Sequence, residues 1–147
     1  MKVFVGADHN GYKHKAKLVT YLQKQGHDVT DVSLGPLNPD DDYPVFAAKA
    51  VNELLSSDDP DPRAILICGS GQGMCMAANR FKSIRAAYGS DRESVSSARN
   101  DDNANVLCLG IKTLEEDTDF TLTDTFLRTP FAAAPRYIRR IMEMDQM

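Results

Sequence analysis

The chain has 147 residues, 42% of them hydrophobic and 26% charged, enough for one soluble domain with a substantial core. A formal net charge of −4 and a pI near 5.3 give no general attraction to nucleic acid or to an anionic membrane surface, so neither is expected as a partner. Three cysteines without a CxxC spacing argue against a disulfide framework and against a zinc site, and point to a reducing, cytoplasmic setting.

In chain order, the opening MKVFVGAD turns polar too soon for a secretory signal, and no apolar run approaches membrane length. Residues 2–8 read as a buried strand, followed by a lysine-rich amphipathic helix to about residue 25 that Gly26 ends. Residues 27–33 form a short second strand, and 34–42 a polar, proline-rich loop. Residues 43–57 form a helix with Pro44 near its start. A third strand over 64–69 leads into a helix over 71–80. A fourth strand over 84–89 leads into a helix from Asp91 to about Asn100. A fifth strand over 104–110 is followed by helices over 114–128 and 135–144. Short apolar runs alternating with helices indicate a parallel sheet covered on both faces. The expectation is an α/β fold over residues 1–147, a single three-layer α/β/α sandwich with a five-stranded, Rossmann-like parallel sheet and a C-terminal helix.

In such sheets ligands bind beyond the carboxyl ends of the strands. There the sequence offers Asp8 and His9 after strand one, Asp42 and Tyr43 after strand two, Cys68 to Gly73 after strand three, and Lys112 after strand five. The loop CGSGQG carries glycines at 69, 71 and 73, which let backbone amides approach a ligand closely. Amides followed by a helix N-terminus suit an anion, and beside a thiol they favour its thiolate form. The loop is neither GxGxxG nor a Walker sequence, which argues against nucleotide binding. A plain strand-to-helix turn beside a buried structural cysteine fits the same residues. In PRYIRR, Arg136 and Arg140 lie four apart on one helical face, a spacing that suits a phosphate and equally a solvated terminal helix.

Taken together, GADHNGYKHK, DYP, ILICGSGQGMCMAANR, IRAA, NANVLCLG and PRYIRR resemble, in order and spacing, the type B ribose-5-phosphate isomerases and their galactose-6-phosphate isomerase relatives. The resemblance implies an aldose–ketose isomerase of a small phosphorylated sugar, without metal or other cofactor. It implies a homodimer, or a dimer of such dimers, with each site shared between subunits. By the same resemblance Cys68 is the proton-transfer base, and Ser70 with Gly69, Gly71 and Gly73 stabilises the enediolate. Asp8, His9 and Tyr43 contact the sugar or its phosphate, Arg136 and Arg140 bind the phosphate, and Lys112 stands where the family usually has arginine. One segment departs from the pattern. Where the family reads AREHNDANVL this chain has ARNDDNANVL, so the ring-opening histidine is replaced by Asp101 and its asparagine neighbour by Asp102. An ionised aspartate accepts a proton but donates poorly at neutral pH. The substrate expectation is therefore ribose 5-phosphate and ribulose 5-phosphate, with a four-carbon sugar phosphate that has no stable ring as the alternative. A sugar-phosphate-binding protein without catalysis is the remaining reading.

Overall fold

A computed structural model of the chain describes residues 1–115 and 117–147. The elements alternate as expected. They are β1 (Lys2–Ala7), α1 (Tyr12–Lys24), β2 (Asp28–Asp31), α2 (Tyr43–Leu55), β3 (Arg63–Cys68), α3 (Gln72–Ala78), β4 (Ala86–Tyr88), α4 (Arg92–Asp102), β5 (Val106–Gly110), α5 (Thr118–Arg128) and α6 (Pro135–Asp145). The five strands form one parallel sheet in the order β2-β1-β3-β5-β4.

Strand periodicity explains the layers. Side chains alternate across a strand, so each central strand feeds both faces of the sheet. Val3, Val5, Ile65, Ile67, Leu107 and Leu109 point to one face and pack with Leu18 and Leu22 of α1, Val95 of α4, and Leu122 and Phe126 of α5. Phe4, Ala64, Leu66, Cys68, Val106 and Cys108 point to the other, against Ala47, Ala50, Val51 and Leu54 of α2 and Met74 and Ala78 of α3. Each fully buried Leu, Ile or Val contributes roughly 1.5–3 kcal/mol of transfer free energy, so burial on both faces makes β1, β3 and β5 the rigid centre of the molecule. By contrast, α6 packs against α4 and buries none of its residues.

Several boundaries differ from expectation, for local reasons. Helix α3 stops at Ala78 because the Asn79 side chain turns to β4, donating to the Ala86 carbonyl (2.9 Å) and accepting from its amide (2.8 Å). Helix α4 runs past Asn100 to Asp102, so Asp101 and Asp102 lie in its last turn. Its start is fixed by Asp91, whose side chain accepts from the Ser94 amide at 2.8 Å, and its end by Asn103 in the left-handed region. Helix α5 begins at Thr118 rather than 114, because the amides of Thr113 and Leu114 are held in a turn on the Gly110 carbonyl. Position 116 of that expected helix lies outside the described residues. No helix among the described residues is long and apolar enough to cross a membrane.

Helix α5 also buries a carboxyl. Asp119 is 3% exposed, its Oδ2 has no hydrogen-bond partner among the described residues, and burial raises its pKa. A carboxyl whose folded pKa exceeds its unfolded value makes stability fall as pH rises through that window, because the unfolded chain releases the proton first. Asp119→Asn cannot ionise and escapes this loss. Chemical denaturation should find the variant gaining stability relative to the wild type from acid to neutral pH; a constant difference would remove the proposed titration.

Candidate active site

The strand order locates the crevice. From β1 the chain moves outward to β2, then crosses back to β3 on the opposite side of β1. The two directions diverge at the carboxyl ends of β1 and β3, where open parallel sheets form a ligand crevice. The two ends are joined by the Asp8 amide donating to the Ile67 carbonyl at 3.2 Å. On the far side, the Ile111 and Lys112 amides donate to the carbonyls of Cys68 (3.0 Å) and Gly69 (2.9 Å). Asp8, Cys68 and Lys112 are thus gathered by backbone pairing alone.

Around this frame the loops fold tightly. Asp8 is 5% exposed, and its Oδ1 accepts from the amides of Asn10 (2.9 Å) and Gly11 (3.3 Å), turning the chain into α1. Gly71 has φ +77°, and a Cβ there would stand 2.8 Å from the Tyr88 ring and 2.9 Å from the Gly110 nitrogen. The Gly71 amide donates to Cys68 Sγ at 3.1 Å, and the Gln72 amide to Ser70 Oγ at 3.3 Å. Two of the amides that the sequence presented as open to an anion are therefore already engaged, one of them by the thiol itself. Helix α3 has only seven residues, so its dipole adds less here than the expected ten-residue helix.

Tyr43 comes to this loop from the start of α2. Its ring lies over Gly73, where a Cβ would approach ring atoms to between 2.6 and 3.0 Å. His9 is held by Asp41, which no motif in the sequence singles out. Its Nδ1 lies 2.7 Å from Asp41 Oδ1, and the same oxygen accepts from the His9 amide at 3.0 Å. Its Nε2 is 3.2 Å from Asn10 Nδ2, and Asn10 packs against Gly69. The hydrogen bond to Asp41 raises the His9 pKa above its ordinary value, opposed by desolvation and by the charge of Lys112. Asp42 stands at the N-cap of α2 and makes no side-chain cap bond; three consecutive aspartates in DDDYP gave no basis for choosing Asp41.

Ligand-capable atoms of Asp8, His9 and Asp41 lie within 4.8 Å of one another. Their surroundings suit a hydrogen-bonded network better than a cation site. Asp8 Oδ1, Asp41 Oδ1 and both His9 ring nitrogens already have partners, and Lys112 stands close enough to repel a cation.

The remaining expected residues form a second group on α4 and α6. Asn100 donates to Asp101 Oδ1 at 2.7 Å; that bond, a hydrogen bond from Tyr137 and the charges of Arg136 and Arg140 hold the Asp101 carboxyl below the usual carboxylate range. The Arg136 guanidinium stacks 4.5 Å above the Tyr137 ring and donates to its hydroxyl at 2.9 Å. Arg139 instead makes an exposed ion pair with Glu143 at 3.9 Å. Asp102 joins neither group. It lines a cleft with Arg85 and Asp145, themselves 3.8 Å apart, and its charge bears on Arg85. Among the described residues, no hydrogen bond or ion pair links the Asp101 group to the Cys68 group.

A family profile described as Ribose/Galactose Isomerase matches residues 3–144. The chain belongs to this family. As a member of the ribose/galactose isomerase family it is an isomerase of the aldose–ketose type. The chain is 33% identical over 141 residues to the ribose-5-phosphate isomerase B of Mycolicibacterium paratuberculosis, covering 96% of this chain and 87% of that one. Among solved family structures, ribose-5-phosphate isomerase B from Mycoplasma genitalium with bound ribulose-5-phosphate superimposes with a TM-score of 0.92 at 33% identity, over 99% of this chain and 94% of that one. The Thermotoga maritima ribose 5-phosphate isomerase gives 0.91 at 37% identity, over 99% and 98%.

The Tyr43–Gly73 contact gives a direct test. Gly73 is helical, so Gly73→Ala gains helix propensity of roughly 1 kcal/mol, while its methyl group must displace the Tyr43 ring. Thermal unfolding should show stability unchanged or raised, with isomerase turnover reduced. Full turnover in the variant would show that the position of Tyr43 over the loop is unimportant.

Proposed function

We propose that this chain interconverts ribose 5-phosphate and ribulose 5-phosphate by proton transfer through an enediolate, with Cys68 as the base. The observation that carries this reading is the thiol of Cys68 at the β1–β3 crevice, bonded to its own glycine loop and bordered by Asp8, His9, Tyr43 and Lys112. The relative with bound ribulose-5-phosphate supports the choice of sugar.

The Cys68 thiolate removes the C2 proton of the open-chain aldose, and the electron pair moves through C1 to leave an oxyanion on O1. Amides of the loop at Gly69, Gly71 and Gly73 and the hydroxyl of Ser70 stabilise that charge. Because the Gly71 amide is bonded to Cys68 Sγ before substrate binds, it can turn toward the oxyanion as the sulfur takes up the proton. The same proton returns to C1, the O2 hydrogen passes to O1, and the ketose forms with no net loss or gain. No step calls for a metal or a cofactor.

The phosphate is assigned to Arg136 and Arg140. Since these lie in a separate group on α6, the site is read as shared between two copies, with the crevice of one facing the arginines of the other. Support comes from α6, which has no fully buried residue in the single chain and exposes Ile138, Met142 and Met144 at 42%, 57% and 42%. The unit so built is a single catalytic domain over residues 1–147 in a homodimer, or in a dimer of dimers.

A specific observation favours a second reading of the substrate. The hydrogen bond from Asn100 and the nearby arginines keep Asp101 ionised, so it accepts a proton but does not donate one to open a sugar ring. A four-carbon sugar 4-phosphate needs no ring opening and suits such a site. Asp102, expected beside Asp101, places its charge near Arg85 instead of near the arginines of α6.

Two experiments test these assignments. Cys68→Ala should lower turnover by a factor of about 10²–10⁴ with the fold retained, and Arg140→Ala should raise the Michaelis constant sharply. If sites are shared, co-assembling the two variants restores about a quarter of the sites, because each mixed dimer keeps one intact site. Near-full activity of Cys68→Ala sinks the base assignment, and failure of the mixture to recover sinks the shared site. Asp101→His supplies a group that donates near neutral pH. It should raise turnover of ribose 5-phosphate and leave that of erythrose 4-phosphate flat. A wild type that strongly prefers the pentose and ignores this substitution removes the open-chain reading.

A further inference from the structure

The least explained contact at the crevice is that between His9 and Asp41. Asp41 reaches His9 from a different loop, 32 residues along the chain, and one of its oxygens receives both the ring Nδ1 and the backbone amide. That pair of hydrogen bonds fixes the ring in position and in orientation at once, with Nδ1 toward Asp41 and Nε2 toward Asn10. Asp41 is also the less exposed partner, 15% against 33% for His9, so its charge acts on the ring with limited screening by water.

The groups facing His9 come from three elements. Asp8 lies on its own loop, Asp41 precedes α2, and Lys112 follows β5; the two carboxylates favour a protonated ring and the ammonium opposes it. In the neutral ring, Nδ1–H donates to Asp41 and Nε2 accepts from the Asn10 amide. Protonation turns Nε2 into a donor. Asn10 then either turns its oxygen toward the ring or yields that place to an oxygen of an anionic ligand. Beside Lys112, such an Nε2–H completes a pair of cationic donors from one chain.

We propose that Asp41 is a positioning residue, holding His9 as an oriented imidazolium that presents Nε2–H, together with Lys112, to the phosphate of the substrate. This rests on the reading of the crevice as a sugar-phosphate site, and it gives the phosphate a cationic contact within the chain that supplies Cys68. Sequence could not single out Asp41, because the pairing depends on where the loop before α2 folds back over β1.

The test follows the His9 ring by proton NMR, with His9→Gln assigning its signal against His14 and His27, in wild type and in Asp41→Asn. Binding of inorganic sulfate, whose charge is constant over the range, is measured by calorimetry across the same pH values. In Asp41→Asn the His9 midpoint should move to lower pH while those of His14 and His27 stay in place. Sulfate affinity should be lost at correspondingly lower pH, and Asp41→Glu should recover part of the shift. For ribose 5-phosphate the loss should fall on KM rather than on kcat. In a His9→Gln background, Asp41→Asn should change sulfate affinity little. An unmoved His9 midpoint overturns the proposal, as does a midpoint that moves without sulfate affinity following. An undiminished Asp41 effect in the His9→Gln background also overturns it, because Asp41 would then act through the loop. NMR and sulfate binding need no turnover, so a wild type inactive on ribose 5-phosphate defeats the proposed function while these readouts still decide the role of Asp41.

Discussion

The parallel pairing of β1 with β3 is the constraint on which the rest depends. Ala7 lies opposite Ile67, and the ladder ends with the Asp8 amide on the Ile67 carbonyl. This register places the first residue beyond one strand beside the last residue of the other. A slip of one residue would reverse every side chain across the sheet, sending Cys68 toward α1 and the Ile65–Ile67 row toward α2. The register is protected by the core itself, since Val5, Ile65, Leu66, Ile67 and Leu107 are fully buried and have no alternative partners outside it. The chemistry inherits its precision from apolar packing several residues away.

Close backbone approach is the second element of the design. Gly11 packs on Ile67 and Gly71 on Tyr88 and Gly110, while Gly110 itself meets the carbonyl of Ser70. At each position a side chain would separate the loop from the strand end it covers. The glycines therefore serve the sheet as much as any ligand, and the Gly71 amide is held where it meets the Cys68 sulfur. The loop is already a folded, hydrogen-bonded unit in the free chain. Any rearrangement during reaction is a matter of individual bonds rather than of the loop as a whole.

Charge is divided between two separate places. At the crevice, Asp41 and Asn10 hold the His9 ring by hydrogen bonds while Asp8 and Lys112 act on it through their charges; on α4 and α6, Asp101 sits among Tyr137, Arg136 and Arg140. At the crevice carboxylates and cations offset one another, whereas on α4 and α6 one carboxylate faces two guanidiniums. Asp101 serves as counter-charge to two arginines that would otherwise repel each other. That α6 carries its cations on a helix with an unburied apolar side gives this second group the character of an arm.

The sequence by itself determined the order of strands and helices, the sandwich class and most of the crevice residues, because strand and helix periodicities are local and CGSGQG and GADHN sit where parallel sheets bind ligands. Boundaries were less legible where a side chain settled them from a distance, as Asn79 does by turning to Ala86 at the end of α3. The family motif named Asp101 and Asp102 together, yet helical geometry turns them to different surroundings, Asp101 to the arginines and Asp102 to Arg85. Only the tertiary structure decided that Asp41, out of three adjacent aspartates, holds His9, and that Arg136 and Arg140 lie in a different group from Cys68. Those facts depend on contacts between segments far apart in the chain, which no pattern of neighbouring residues encodes.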